Sequence, residues 1–282
     1  MTFIVVYITT IFGNAIIILV IQLDGRLQTP MYFFLTNLSF LDICYSSVTV
    51  PKLLDVLLAD NRRIPFVDCI LQMYLFHVLA SSEMFLLTAM AYDRYVAICN
   101  PLRYVVLMRR VVSLPLAACA WLGGLLHSTF HTAFILRLSF CGPNQMDNIF
   151  CDATPLIKLS CSDATLDEVM LTVTPGILGP SCFMVVLLSY GFIIRSILKI
   201  NSGASHLMVI SIFYGTGIIV YLQPMSVYSS ANRFITVFYA VITPMLNPII
   251  YTLRNKDVKG AVQKLLFQQT IAQKSNIVVT TF

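Results

Sequence analysis

The chain has 282 residues, of which 58% are hydrophobic and 11% charged, with a net charge of +5. A soluble domain carries about 25% charged residues, so at a mean hydropathy of +0.83 most of this surface faces something other than water. Composition this apolar excludes a disordered chain, and the 18 Lys and Arg form no block of nucleic-acid-binding type.

In chain order, the first run, Met1 to Leu23, has no charge, no preceding basic region and no clear small-residue cleavage site. It reads as a membrane span rather than a cleaved leader, because about 20 apolar residues cross the hydrocarbon core as a helix. Seven such windows follow from the same criterion, at about 3–22, 31–53, 69–93, 111–134, 168–198, 204–224 and 234–253. The expected fold is all-α, a single seven-helix transmembrane domain. Residues 255–267 add a short amphipathic helix: Val258, Ala261, Val262, Leu265 and Leu266 make one stripe and Lys256, Lys259 and Lys264 the rest. Such a helix is expected on the inner membrane surface.

Lys and Arg orient the bundle. With the N-terminus outside, twelve of the 18 fall on inner loops and the tail, and six on the outer side together with eight acids. An N-out, C-in, multi-pass plasma-membrane protein is therefore expected. Cys69 opens the third span, and Cys141, Cys151 and Cys161 lie in a long outer loop. That side is oxidising, so two disulfides are expected, and four cysteines allow three pairings. Joining Cys69 to Cys151 would pin the loop to the third span, and joining Cys141 to Cys161 would close a lobe around it. Cys44, Cys99, Cys119 and Cys182 sit in or beside apolar spans and read as packing residues.

Asn14, Asp42, Glu83 and Asn247 lie deep in spans. Ionisable groups at that depth face the bundle interior, so they are expected to form a polar core able to share a proton or a cation. Asp93, Arg94 and Tyr95 stand where the third span ends on the inner side. Pro244, Asn247, Pro248 and Tyr251 break the seventh span into a kink, since proline frees a backbone carbonyl. His127 and His131 are one turn apart, but without a clear third ligand no metal is assigned. No cofactor is expected.

These residues carry a resemblance. Met90-Ala-Tyr-Asp-Arg-Tyr-Val-Ala-Ile-Cys-Asn-Pro101 resembles the most diagnostic stretch of vertebrate olfactory receptors, within the rhodopsin-like G-protein-coupled receptors. Pro30-Met-Tyr-Phe-Phe-Leu35, Ser189-Tyr190, Phe213-Tyr214-Gly215, Pro244-Met-Leu-Asn-Pro-Ile-Ile-Tyr251 and Leu253-Arg-Asn-Lys256 are similar to further family motifs, in order, from about Gly13 to Leu266. The resemblance implies an odorant receptor that binds a small volatile ligand in the outer half of the bundle and activates a stimulatory olfactory-type heterotrimeric G protein. It also supports the Cys69–Cys151 and Cys141–Cys161 pairings. Counting along the helices from the matched motifs, the pocket implied comprises Phe76, His77, Ala80, Ser81, Thr174, Leu178, Tyr214, Gly217, Ile218 and Tyr221. Asp93, Arg94, Tyr95, Tyr190, Asn247, Pro248 and Tyr251 take the activation and coupling roles. His77 is positioned to protonate and favour an acidic ligand.

Two departures from the family pattern bear on output. Only two residues precede the first span, and the single Asn-x-Ser triplet, Asn37-Leu-Ser39, lies inside the second, so impaired export is expected. Between spans five and six, Ile197-Leu-Lys-Ile200 is followed directly by Asn-Ser-Gly-Ala-Ser-His206, and the family's Lys-Ala-Phe-Ser-Thr-Cys stretch is missing. Ala204 to Leu222 spans about 28 Å as a helix, which leaves no inner extension. A signalling-impaired variant of the same fold is therefore the alternative reading. An enzyme is not expected, because no H-E-x-x-H, G-x-x-x-x-G-K-[ST] or G-x-S-x-G motif occurs. A transporter would require a charge-lined path or a repeat, and the sequence offers neither.

Overall fold

The computed structural model describes residues 2–58, 63–141, 145–146, 150–162, 165–197, 241–255 and 257–264. Within them the chain is helical: α1 (Thr2–Leu23), α2 (Pro30–Leu58), α3 (Phe66–Cys99), α4 (Tyr104–Leu107), α5 (Arg110–Ile135), α6 (Ala153–Ile157), α7 (Thr165–Ile197) and α8 (Thr243–Arg254), then α9 over residues 257–264. Short 3-10 turns at Gly25–Leu27 and Pro101–Arg103 link α1 to α2 and α3 to α4. Among the described residues the extended pairing is one isolated antiparallel bridge, Phe140 with Ser160.

Four helices are long and apolar enough to cross a membrane, spanning Phe3–Leu23, Pro30–Leu58, Phe66–Cys99 and Arg110–Leu136, and α7 has a shorter apolar stretch, Ile177–Ile193. Large apolar side chains face outward as well as filling the core, and polar side chains are buried among them. Phe12 is 64% exposed and Leu126 72%, while Asn14, Asp42 and Ser82 are fully buried. Lipid is as apolar as leucine, so polar groups turn inward. The sixth expected span, 204–224, and the short join before it lie outside the described residues, as do 234–240 of the seventh.

The helices overrun the expected windows. The second extends to Leu58 with Pro51 inside it, and the third runs from Phe66 to Cys99, about 51 Å at 1.5 Å per residue. A charge-free window measures only the hydrocarbon core. Asp68 and Arg94 end that window, but in the headgroup region they do not end a helix. The small helices α4 and α6 were not foreseen, being too short to carry a periodic signal. In the turn after α1, Asp24 accepts from the Arg26 backbone N–H and guanidinium, and this cation holds the Asp24 carboxyl down at about 2.

Helix α3 is the hub, packed against α2, α5 and α7, while α1 packs against α2 and α8. Gly124 of α5 meets α3 where a Cβ would overlap the Ser82 hydroxyl and lie 2.6 Å from the Val78 carbonyl oxygen. Helix α9, the short amphipathic helix expected after the seventh span, turns its apolar stripe to the bundle. Val258 and Ala261 are buried in the main hydrophobic cluster of the bundle, and the Tyr32 hydroxyl donates to Asn255 and Asp257 at 3.3 Å. The stripe therefore covers the end of the bundle. Leu265 and Leu266 lie outside the described residues.

Candidate functional site

One end of the bundle is organised by two disulfides, Cys69–Cys151 and Cys141–Cys161, with Cα atoms 5.3 Å and 5.8 Å apart. The first ties the loop to the start of α3. Gln72 reinforces the tie, accepting from the Cys151 N–H at 3.1 Å and donating to the Val48 carbonyl at 3.0 Å. Covalent attachment of Cys151 brings its neighbours into the bundle. Phe150 reaches the Phe76 ring, with centroids 5.4 Å apart, and Phe76 in turn meets Tyr45 at 5.1 Å. Asp152 caps α6 by accepting from the Ala153 N–H at 2.8 Å, and its Oδ1 lies 3.6 Å from Nε2 of His77.

Around His77 the structure assembles an imidazole cluster from two helices. His77 Nδ1 donates to the Met73 carbonyl at 2.9 Å. Its ring stacks on His131 of α5 at 6.0 Å, and His131 meets His127 at 4.2 Å. Ser81 and His127 Nδ1 share a hydrogen bond of 2.8 Å. Of the expected pocket residues, Phe76, His77 and Ser81 are buried in this region and Ala80 is half-buried on the same helix. Thr174 and Leu178 are half-buried on α7, and the Thr174 hydroxyl donates to the Met170 carbonyl of its own helix at 2.6 Å. Tyr214, Gly217, Ile218 and Tyr221 lie outside the described residues. Sequence reasoning missed Asp152 and Phe150 as members of the cluster. Their adjacency to Cys151 was the available signal, since a disulfide delivers its flanking residues as well.

In the middle of the bundle Asn247 of α8 donates to both carboxyl oxygens of Asp42 at 3.0 Å, and Asp42 is an electrostatic neighbour of Glu83. Asn14 donates to the carbonyls of Thr10 at 3.0 Å and Pro244 at 3.2 Å. The latter bond satisfies a carbonyl at the start of α8, whose Pro248 packs close to Gly13. Among the described residues no group of three or more His, Cys, Asp or Glu is arranged to hold a metal ion.

At the opposite end Asp93 is buried and accepts from the Tyr104 hydroxyl of α4 at 3.0 Å. Burial and the neighbouring Asp93 push the Tyr104 phenol above its ordinary range, so it stays a donor. Tyr95 packs on Phe192 of α7 at 5.9 Å, and Tyr190 is buried on the same helix. Tyr251 lies on α8, and its side chain is outside the described residues. Tyr104 was not singled out from the sequence, as nothing local distinguishes its hydroxyl from those of the other 12 tyrosines.

A family profile described as olfactory receptor matches residues 3–269. The chain belongs to the olfactory receptor family. This olfactory receptor is 45% identical to Olfactory receptor 10G7 of Homo sapiens, over 96% of this chain and 90% of that relative. It is 45% identical to Olfactory receptor 4E2 of Mus musculus, over 93% and 88% respectively. The match to Olfactory receptor 4E2 of Homo sapiens, 43% identical over 98% of this chain and 90% of the relative, runs over 284 positions, more than the 282 residues present here. That relative therefore has internal residues with no counterpart in this chain. The olfactory receptor is a multi-pass membrane protein and a receptor rather than an enzyme, of a family that binds odorants and couples to G proteins.

Proposed function

We propose that this olfactory receptor binds a small volatile odorant at the disulfide-bearing end of the bundle and activates a stimulatory olfactory-type heterotrimeric G protein from the opposite end. The observation that carries the reading is the partly hydrogen-bonded polar cluster of His77, Ser81, His127 and His131 enclosed by apolar helix walls. A mostly apolar site with a few placed polar groups suits a small molecule held by shape and one or two hydrogen bonds. Phe76, Ala80, Thr174, Leu178, Tyr214, Gly217, Ile218 and Tyr221 complete the site. Asp93, Arg94, Tyr95, Tyr190, Asn247, Pro248 and Tyr251 carry the change to the coupling face, and Asn14, Asp42 and Glu83 form the polar core between. The charge bias of the loops supports an outer N-terminus and an inner C-terminus in the plasma membrane. The whole chain is read as one seven-helix domain.

The test is a broad odorant screen of the tagged receptor in olfactory-type cells, with surface labelling and a cyclic-AMP readout. An odorant response lost on Ser81→Ala supports the site, whereas an odorant response that survives Ser81→Ala, Thr174→Val and His77→Ala together would sink it.

A second reading concerns output. The join between spans five and six is short in sequence, and a relative has internal residues without counterpart here. In that reading the chain binds odorant but couples weakly, because a sixth helix without an inner extension gives the G protein little to engage. Restoring a family-length join should raise the cyclic-AMP response at equal surface expression; equal responses would defeat this reading.

A further inference from the structure

We infer that α4 and the arginines around it bind anionic phospholipid headgroups, with the outward side of α4 seated in the bilayer surface. The site lies at the Asp93 end of the bundle and stands independently of the odorant reading.

Local structure gives α4 two unlike sides. Tyr104 and Met108 are one helical turn apart, the Met108 N–H donating to the Tyr104 carbonyl. The Tyr104 hydroxyl donates to buried Asp93 at 3.0 Å, and Met108 is buried in the main hydrophobic cluster. Residues four apart share a helix side, so these two hold one side of the turn against the bundle. The residues between them point away from it. Val105 is 80% exposed and Val106 66%, and Leu102, just before the turn, is 96% exposed. Apolar side chains gathered at a surface in this way mark a site of interaction.

The place of α4 in the chain identifies what covers it. The membrane-length run of α5 begins at Arg110, directly after α4 and its cap, and Val111 and Leu114 are exposed from the first turn of that run. The outward residues of α4 therefore lie at the edge of the same hydrocarbon that α5 enters.

Charge identifies the headgroup. Arg103 precedes the turn, Arg109 and Arg110 follow it, and all three are exposed. The chain has no Asp or Glu between Asp93 and Asp147, and among the described residues no carboxylate pairs with these arginines. Apolar side chains at the boundary between headgroups and acyl chains, rimmed by cations, bind an anionic leaflet through both terms together. A guanidinium engages two phosphate oxygens at once. In phosphatidylcholine an ammonium already balances the phosphate, so a phospholipid of net negative charge is selected.

The experiment places the full chain, without G protein, in nanodiscs of phosphatidylcholine containing a minority of phosphatidylglycerol. Lipids retained on gentle release are counted by native mass spectrometry. Phosphatidylglycerol should be enriched over its bulk share by roughly fivefold for each arginine engaged. Arg103→Gln, Arg109→Gln and Arg110→Gln together should lower that enrichment roughly tenfold or more. Lys259→Gln with Lys264→Gln, which removes two exposed cations from α9, should leave most of it. Each arginine is also replaced singly, so that a triple variant that fails to fold does not decide the outcome. A second readout does not depend on charge. Emission added by Val105→Trp, over that of Trp121 in the parent, should be quenched by phosphatidylcholine brominated on its acyl chains. Enrichment that survives the arginine substitutions overturns the inference, and so does an equal loss from the α9 variant. An unquenched Trp at position 105 overturns it as well, since α4 would then stand in water with its outward side open to a protein partner.

Discussion

Gly124 illustrates how little room the hub helix leaves its neighbours. A methyl group there would lie 2.6 Å from the Val78 carbonyl oxygen and 2.8 Å from the Ser82 nitrogen, both backbone atoms that cannot swing aside. Gly124→Ala is expected to destabilise the bundle by about 2–3 kcal/mol, the scale of overpacking, read as a lower melting temperature in detergent. Gly13→Ala meets only Pro248 side-chain carbons at 3.2 Å and should cost far less. At the other end, Tyr104→Phe leaves buried Asp93 without its donor, at about 1–3 kcal/mol. Because the folded Tyr104 phenol is raised above its ordinary value of 10.0, its contribution should be complete below about pH 10 and lost only as pH climbs through the raised value. A melting series from pH 7 to pH 11 on parent and Tyr104→Phe would show the difference between them constant until the alkaline end; a difference that shrinks already near pH 8 would contradict the assignment.

Among the elements, α3 connects everything that matters for function. It carries Cys69, the His77 and Ser81 face, Glu83 and Asp93 along one rod, so that a disturbance at the cluster and one at Asp93 act on the same rigid body. Its existence was legible from an apolar window, and its length was not, because hydropathy measures the lipid core and stops there. Helix α9 shows the converse: its stripe of Val258, Ala261 and Val262 was legible, but whether the stripe meets lipid or protein depends on what ends beside it. Here Tyr32 of α2 and the cluster around Val258 receive it. Val258→Asp is expected to release the helix, read as faster amide exchange over residues 257–264 with the remainder of the bundle unchanged. Unaltered exchange would mean that contact with the bundle does not hold it.

For the molecule as a whole, an apolar exterior with polar residues such as Asn14 and Asp42 held inside the hydrophobic core has one solvent it can live in. Stripping detergent from the purified chain should aggregate it, as measured by light scattering, whereas a chain that stays monodisperse in plain buffer would be incompatible with the exposure of Phe12 and Leu126. The sequence alone determined the all-helical membrane architecture, the family and the polar residues at depth, because each is a local property: a run of uncharged residues must be a helix in hydrocarbon wherever its neighbours lie. Only the tertiary structure decided which polar residues meet. Asp42 with Asn247, Asp93 with Tyr104, and His77 with His131 and Asp152 are pairings between separate segments. Helix packing and a disulfide set those distances, and no spacing along the chain encodes them.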